Sequence, residues 1–270
     1  MRRPLFLIPL LLSSAACSSA DEMEKAAGVE KAETAPRAAA VPVAFANNEE
    51  RDGGGREFAY KWPAEVSAQP ALARQLTGER DRILAQEKVE WTDTLADAPM
   101  DCTACRQRSF TKEWKVVADT PGYLSLSGEF STYTGGAHGM YGLESLVWDK
   151  AKERALPGVG LFQSPEALEA ALGPKLCAAL NAEREKRRGE PVDPQAPDEY
   201  GTGFDQCQHV KDATVLVGSS NGKVFDRIGV WFGPYVAGSY AEGAYELNFP
   251  VDAAVLKAVK PEYAGAFGAR

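Results

Sequence analysis

The chain has 270 residues, of which 44% are hydrophobic and 25% are charged, and its formal net charge is −8 at pH 7. An acidic chain of this kind does not suggest a protein that binds nucleic acid or an anionic membrane surface. The length and composition indicate a globular protein with room for one domain or two small packed ones.

The N-terminus, MRRPLFLIPLLLSSAACSSA, predicts a secretory signal peptide over residues 1–16. Its apolar run, Leu5–Leu12, follows two arginines and is too short to span a bilayer. Cys17 comes directly after three small residues, as in bacterial lipoproteins, where this cysteine is acylated and becomes the first residue. Ordinary cleavage that leaves a soluble periplasmic protein is the alternative. Ser18 after the cysteine favours a lipid-anchored protein on the periplasmic side of the outer membrane.

Residues 17–55 are rich in Ala, Glu, Lys, Pro and Gly and have almost no large apolar side chain before Phe45. Such a segment buries too little apolar surface to offset the entropy of ordering, so we predict a disordered tether after the lipidated cysteine. Loss of Arg2 and Arg3 with the signal would leave 38 acidic against 28 basic residues, a net charge of −10. That charge would suit a cationic partner, although acidity more often reflects solubility.

Four cysteines follow the tether, and an even number in an oxidising compartment predicts disulfides. Of the three possible pairings we favour Cys102–Cys105, which is local, and Cys177–Cys207, which would tie a helix to a long loop. Two alternatives remain open. The first pair could be a redox motif, although a thioredoxin-like setting is missing. Cys102, Cys105, Cys207 and His209 could bind zinc, although their spacing is far longer than in common zinc modules.

We predict an N-terminal α+β subdomain over residues 56–118. In the stretch REFAYKWPAEV, Phe58, Tyr60 and Trp62 fall on alternate positions, which is typical of a strand with one buried face. Pro70 to Gln86 then carries apolar side chains at helical spacing among charges, which predicts an amphipathic helix.

We predict a C-terminal α+β domain over residues 119–270. Phe110–Ala118 and Tyr123–Thr132 are β-rich runs separated by turn residues, so they should form a hairpin. Tyr141–Trp148 predicts a third strand. Ser164, followed by Pro and Glu, is a strong signal for the start of a helix. We predict one helix from there to the basic stretch EREKRR, with four leucines on one face: Leu168, Leu172, Leu176 and Leu180.

The later elements complete the predicted fold. Strands over Ala213–Gly218 and Lys223–Phe232 should form a hairpin around the turn sequence SSNG. Tyr245–Phe249 predicts a final strand and Val251–Val259 a short helix. This order of elements favours an α+β fold, with antiparallel sheets and two or three packed helices, over a parallel doubly wound sheet.

The stretch STYTGGAHGMYG contains His138, one of two histidines in the chain. Three roles are open for it: a tight turn, a binding surface or a catalytic group, and the turn is the preferred interpretation. Catalysis would need a nucleophile or acid–base partners beside the histidine. Candidate helpers exist, but no spacing singles them out: Asp149, Asp205, Glu242 and His209. The candidate binding residues of this stretch are Tyr133, Gly135, Gly136, His138 and Tyr141.

A second informative stretch, WFGPYVAGSYAEGAY, adds Trp231, Tyr235 and Tyr240 as candidate binding residues. Aromatic rings on a glycine-shaped loop often form surfaces for protein or glycan partners. The alternative, slightly preferred, is that these rings and Tyr245 pack the loop onto the sheet.

Three motifs together resemble the RsiV-like domain family, the extracytoplasmic domain of the anti-sigma-V factor. They are YTGGAHG from Tyr133, VWD…LPGVGLF from Val147, and GVWFGPYVAGSYAEGAYELNFPV from Gly229. The resemblance covers about Arg56 to Phe267, the part to Ala118 only loosely. Similar domains occur in bacterial lipoproteins and beside some polysaccharide deacetylases.

The resemblance implies a binding role, because the best-understood member of the family is a membrane-anchored sensor that binds lysozyme. No transmembrane helix or cytoplasmic segment precedes the signal, so we do not expect the sigma-factor role. We expect a non-enzymatic envelope lipoprotein that binds c-type lysozyme or peptidoglycan, without a cofactor or metal. One alternative is an enzyme that processes cell-wall glycan with His138, and another is a structural envelope lipoprotein without a small ligand.

Overall fold

A computed structural model of the chain describes residues 40–195 and 201–270. The predicted signal peptide, Cys17 and most of the predicted tether lie outside the described residues. Among the helices of the described ranges, none is both long enough and apolar enough to cross a membrane. The fold is α+β, as predicted.

The larger of two sheets has seven strands, in the spatial order β1-β3-β4-β5-β6-β7, with β2 paired to β3. Their bounds are β1 Val43–Ala46, β2 Glu49–Arg51, β3 Gly54–Trp62, β4 Gln107–Asp119, β5 Tyr123–Tyr133, β6 Met140–Asp149 and β7 Arg154–Leu156. The strands predicted from Phe58, from Phe110, from Tyr123 and from Tyr141 are all present. The first two strands, however, lie inside the segment that we expected to be a tether through residue 55.

One face of this sheet carries the first hydrophobic core. Phe58, Tyr60 and Trp62 on β3 are all buried, and a long helix packs against them. The short helix α1 (Ala64–Ser67) leads into this helix, α2 (Pro70–Asp97). It continues past the predicted end because Trp91 is fully buried and its indole nitrogen donates to the Arg106 carbonyl, 3.2 Å away.

Strands β3 and β4 pair in parallel, whereas the other strand pairs of the described ranges are antiparallel. The parallel pairing follows from the connection. Helix α2 carries the chain back along the sheet, so β4 starts at the same end of the sheet as β3. The boundary expected between residues 118 and 119 falls at the end of β4, within the β4–β5 hairpin. Strand pairing is therefore continuous across it.

The second sheet has three antiparallel strands in the order β10-β9-β8. Their bounds are β8 Thr214–Gly218, β9 Arg227–Phe232 and β10 Tyr245–Pro250. Alternate residues of these strands form the second core with helices α3 (Pro165–Leu172), α4 (Pro174–Arg188) and α5 (Ala253–Ala258). The predicted hairpin, final strand and short helix are thus confirmed.

The predicted start at Ser164 is confirmed, because the Ala167 amide donates to the Ser164 hydroxyl. The predicted continuous helix is instead two helices. Gly173, at a φ of 56°, ends α3, and Pro174 begins α4. The four leucines at its helical spacing still face one core, and all are buried: Leu168, Leu172, Leu176 and Leu180.

Both predicted disulfides are present, Cys102–Cys105 and Cys177–Cys207, with Cα–Cα distances of 5.3 Å and 5.1 Å. The zinc alternative is therefore wrong for these cysteines, because none of them keeps a free thiolate. The second disulfide joins α4 to the loop before β8, as expected.

Candidate functional site

The GGAHG turn joins β5 to β6. Gly135 and Gly136 have φ angles of 89° and 96°, a backbone region that favours glycine. The Tyr133 hydroxyl donates to the Gly136 carbonyl at 2.8 Å and closes the turn. A Cβ on Gly135 would lie 3.4 Å from the Cys105 Cα atom, so the turn packs on the backbone next to the first disulfide. The turn geometry therefore explains why three of the predicted binding residues occur here: Tyr133, Gly135 and Gly136.

Four rings from two distant parts of the chain form one group, which we call the aromatic cluster: His138, Tyr141, Tyr235 and Tyr240. His138 stacks on Tyr240 with ring centroids 4.1 Å apart and planes 23° apart. Tyr235 lies on Tyr240 at 5.7 Å, and Tyr141 meets it edge-on at 6.1 Å. Tyr235 is 49% exposed. Four predicted binding residues thus meet on one partly exposed surface.

Hydrogen bonds hold the rings of the aromatic cluster in place. The Tyr240 hydroxyl donates to the Gly139 carbonyl at 2.9 Å, and the Tyr141 hydroxyl accepts from the Ala244 amide at 2.9 Å. His138 Nδ1 lies 2.8 Å from the Gly139 carbonyl oxygen. The Tyr240 hydroxyl thereby connects the loop between β9 and β10 to the β5–β6 turn, and the Tyr141 hydroxyl connects the same loop to the start of β6.

Glu242 fixes that loop to helix α4. Its carboxylate accepts from the Tyr245 hydroxyl at 2.5 Å, from Arg188 Nε at 2.8 Å and from the Ser239 amide at 3.0 Å. Burial raises the pKa of Glu242, but the hydrogen bonds from Tyr245 and Arg188 outweigh burial and lower it to about 2. Arg188 also pairs with Asp205 at 2.5 Å.

In the described residues, none of the four candidate acid–base groups forms a hydrogen bond or ion pair with His138, whose Nδ1 lies on the Gly139 carbonyl oxygen. Asp149 accepts from the Ala151 and Lys152 amides, and His209 Nδ1 lies 2.9 Å from Glu169. Asp205 and Glu242 pair with Arg188. Within residues 40–195 and 201–270, His138 therefore stacks on an aromatic ring and forms no hydrogen bond or ion pair with these four groups.

A cleft with polar and apolar lining lies between the two sheets, which contact each other along β8. It has a volume of about 810 Å³ and is lined by the face of the larger sheet opposite α2 and by the outer face of the smaller sheet. Trp231 lies in this inter-sheet cleft, not in the aromatic cluster, whereas Tyr141 belongs to both. Tyr245, by contrast, is fully buried in the core.

Charged side chains form a row on one wall of the inter-sheet cleft. Lys61 on β3 is in register with Glu113 on β4, which is in register with Glu129 on β5. Lys115 donates to Glu129 at 2.7 Å, and this hydrogen bond raises the pKa of Lys115. Glu246 on β10 lies on the other wall. These four side chains and Lys115 were not predicted; their only signal was their outward position on alternating strands.

No group of three or more His, Cys, Asp or Glu side chains within residues 40–195 and 201–270 is arranged to hold a metal ion.

One part of the chain matches a known protein family, and the fold resembles solved structures. Residues 57–141 match the family described as Deacetylase PdaC. A DUF3298 family protein from Pseudomonas aeruginosa PAO1 is similar in structure, with a TM-score of 0.48 at 16% identity, over 85% of this chain and 97% of that one. A DUF3298 member from Bacteroides fragilis gives 0.46 at 14% identity, over 83% and 96%.

No curated protein matches the sequence. The resemblance to the RsiV-like family is thus supported only at the level of a related kind of domain.

Proposed function

We propose that the protein is a non-enzymatic binding module of the bacterial cell envelope, and that its partner is a cationic protein of the c-type lysozyme class. The observation that carries this proposal is the aromatic cluster. Tyr235, Tyr240 and His138 form a continuous stack whose outermost ring, Tyr235, is 49% exposed.

The geometry of the stack suits a protein contact. Tyrosine supplies a large amphipathic surface with few rotatable bonds, so little conformational entropy is lost on binding. Tyr240 is already fixed by its hydrogen bond to the Gly139 carbonyl. The acidic net charge of −8 would accelerate the encounter with a cationic partner, and that acceleration should weaken as salt is added.

The cellular location is part of the same proposal. Acylation of Cys17 would anchor the protein to a membrane, with the described domain facing the periplasm from the outer membrane. Stable anchoring requires more than one acyl chain, as bacterial lipoproteins carry. Globomycin treatment and mass spectrometry of the N-terminal peptide test this directly: acylation predicts a lipid mass on Cys17, and an unmodified cysteine contradicts it.

Titration of the purified full chain with c-type lysozyme, beside an assay of lysozyme activity, tests the partner. We expect saturable, salt-sensitive binding with loss of lysozyme activity. Tyr235→Ala should weaken binding about tenfold, because it removes the large exposed ring at one end of the stack. Val89→Ala is the matched control, since Val89 is 62% exposed on α2, outside the aromatic cluster. No binding at micromolar protein, or unchanged binding by Tyr235→Ala, would overturn the proposal.

A glycan-processing enzyme is the second candidate, and the match of residues 57–141 to the deacetylase PdaC family favours it. His138 lies within that range and is exposed. The test is acetate release from acetylated peptidoglycan by the full chain and by His138→Ala. Turnover that the folded variant loses would establish the enzyme over the binding module, whereas no acetate release removes this candidate.

A further inference from the structure

We propose that the inter-sheet cleft is a binding site for a neutral oligosaccharide. This site borders the lysozyme contact proposed above and shares Tyr141 with it, but the inference rests on other residues. Trp231, the facing carboxylates and the small hydroxyl side chains of the cleft carry the inference.

Trp231 provides a fixed aromatic platform. Its neighbours in β9, Val230 and Phe232, are buried in the second core, so the alternation of the strand directs Trp231 into the cleft. A Cβ on Gly233 would lie 2.9 Å from the indole ring, which therefore rests directly on that glycine. A ring held in this way presents an apolar face on which the C–H face of a pyranose can stack, with little entropy lost on binding.

Hydrogen-bonding groups surround this platform. Glu246 is in register with Trp231 on the neighbouring strand, and it is exposed. On the facing wall, Thr111 and Ser131 are paired through their hydroxyls at 2.8 Å, beside the Glu113–Glu129 row. Carboxylates accept hydrogen bonds from sugar hydroxyls more strongly than neutral oxygens do. An aromatic platform ringed by such acceptors is suited to a sugar.

One position on the wall of the cleft is a glycine and carries no side chain. Gly229 lines it on β9, between Leu216 on β8 and Asn248 on β10. A Cβ there would lie 3.3 Å from Leu216 and 3.8 Å from the Asn248 side-chain oxygen, so these two side chains flank the glycine closely. The volume of about 810 Å³ lies within the range of small-molecule sites, about 300–1,000 Å³.

The charge of the cleft selects a neutral ligand over an anionic one. Lys115 is paired with Glu129, and Lys112 is paired with Glu79 and Glu144 outside the cleft. Lys61 is then left against Glu113 and Glu246, which gives these three groups a net charge of −1. The remaining negative charge would repel a polyuronate or a phosphorylated glycan. A neutral sugar has no charge for the carboxylates to repel, and its hydroxyls can donate hydrogen bonds to them.

Isothermal titration of the full chain with chitohexaose and with cellohexaose, followed also by tryptophan fluorescence, tests the proposal. We expect saturable binding of at least one of the two neutral oligosaccharides and none of polygalacturonate. Trp231→Ala should weaken binding about tenfold or more, while Trp231→Phe, which keeps a ring, should retain most of it. Glu246→Gln should also weaken binding, whereas Glu262→Gln, an exposed glutamate outside the cleft, should not.

Several results would overturn the proposal. These are no saturable binding of either neutral oligosaccharide, or binding that folded Trp231→Ala and Glu246→Gln both leave unchanged. In a third result, oligolysine binds, neutral sugars do not, and Glu246→Gln abolishes the binding of oligolysine. The cleft would then be a site for cationic peptides. Tyr235→Ala, the variant for the lysozyme contact, should leave oligosaccharide binding intact, so the two proposals can fail independently.

Discussion

Glu242 should stabilise the folded protein through its negative charge, and Glu242→Gln isolates that contribution. Glutamine keeps the size of the side chain but is neutral and presents an NH₂ group in place of one oxygen. Both carboxylate oxygens of Glu242 accept hydrogen bonds, one from Arg188 and Tyr245 and the other from Ser239. The variant therefore loses a charge-assisted pair and turns one acceptor into a donor that faces another donor.

The magnitude follows from the pKa of Glu242, which is lowered from 4.5 to about 2 in the folded protein. At about 1.4 kcal/mol per pH unit, the full difference is about 3 kcal/mol of unfolding free energy. The Glu242 side chain is 19% exposed, so solvent screening reduces the expected loss at pH 7 to about 2 kcal/mol. A depressed carboxyl pKa means that this stabilisation is fully present above about pH 5 and is lost as the pH falls toward 2.

Urea unfolding of the wild type and Glu242→Gln at pH 7, 4 and 3, followed by circular dichroism, measures this effect. The difference in unfolding free energy should shrink steadily as the pH falls, and Glu262→Gln should show no such trend. A difference that stays the same from pH 7 to pH 3 would refute the reasoning, because the loss would then come from packing and not from charge.

Three further predictions concern the framework of the site. Replacing Cys177 and Cys207 together by serine should cost about 3–4 kcal/mol of unfolding free energy by the chain-entropy estimate for a separation of 30 residues, and denaturant titration measures it. Gly158→Ala should lower thermal stability by about 2 kcal/mol or more, because the new Cβ would lie 2.1 Å from the Val215 carbonyl oxygen; an unchanged melting temperature would contradict this. Tyr240→Phe should cost about 1 kcal/mol through the lost hydrogen bond to the Gly139 carbonyl, yet keep lysozyme binding because the ring stack remains.

Local patterns in the sequence predicted most individual elements. The alternation of Phe58, Tyr60 and Trp62 marks the buried face of β3, and Ser164 caps α3 as its side chain suggests. Such signals are local, because a strand or a cap is fixed by its own residues and their neighbours. The break at Gly173–Pro174 was also visible in the sequence, but the regular spacing of the leucines suggested one continuous helix.

The candidate site was predictable only in its parts. His138 and Tyr240 were both selected from the sequence, yet nothing in either motif indicated that they stack on each other. Tyr240 bonds to Gly139 across a separation of 101 residues, and only the packing of the two sheets brings the loops together. The pairing of Glu113 with Glu129 could not be predicted either, because strand register decides which outward side chains become neighbours.

Tyr141 connects the two proposed binding surfaces. Its ring meets Tyr240 in the aromatic cluster and also lines the inter-sheet cleft, and its hydroxyl accepts from the Ala244 amide, which lies beside the same cleft. An oligosaccharide that displaced this ring would disturb the platform for lysozyme, and a bound lysozyme would in turn restrict the cleft. Because coupling between two binding equilibria is reciprocal, each ligand would then change the affinity of the other by the same factor. If Tyr141 stays in place when either site fills, the factor is one, and the two surfaces act as independent sites on a shared framework.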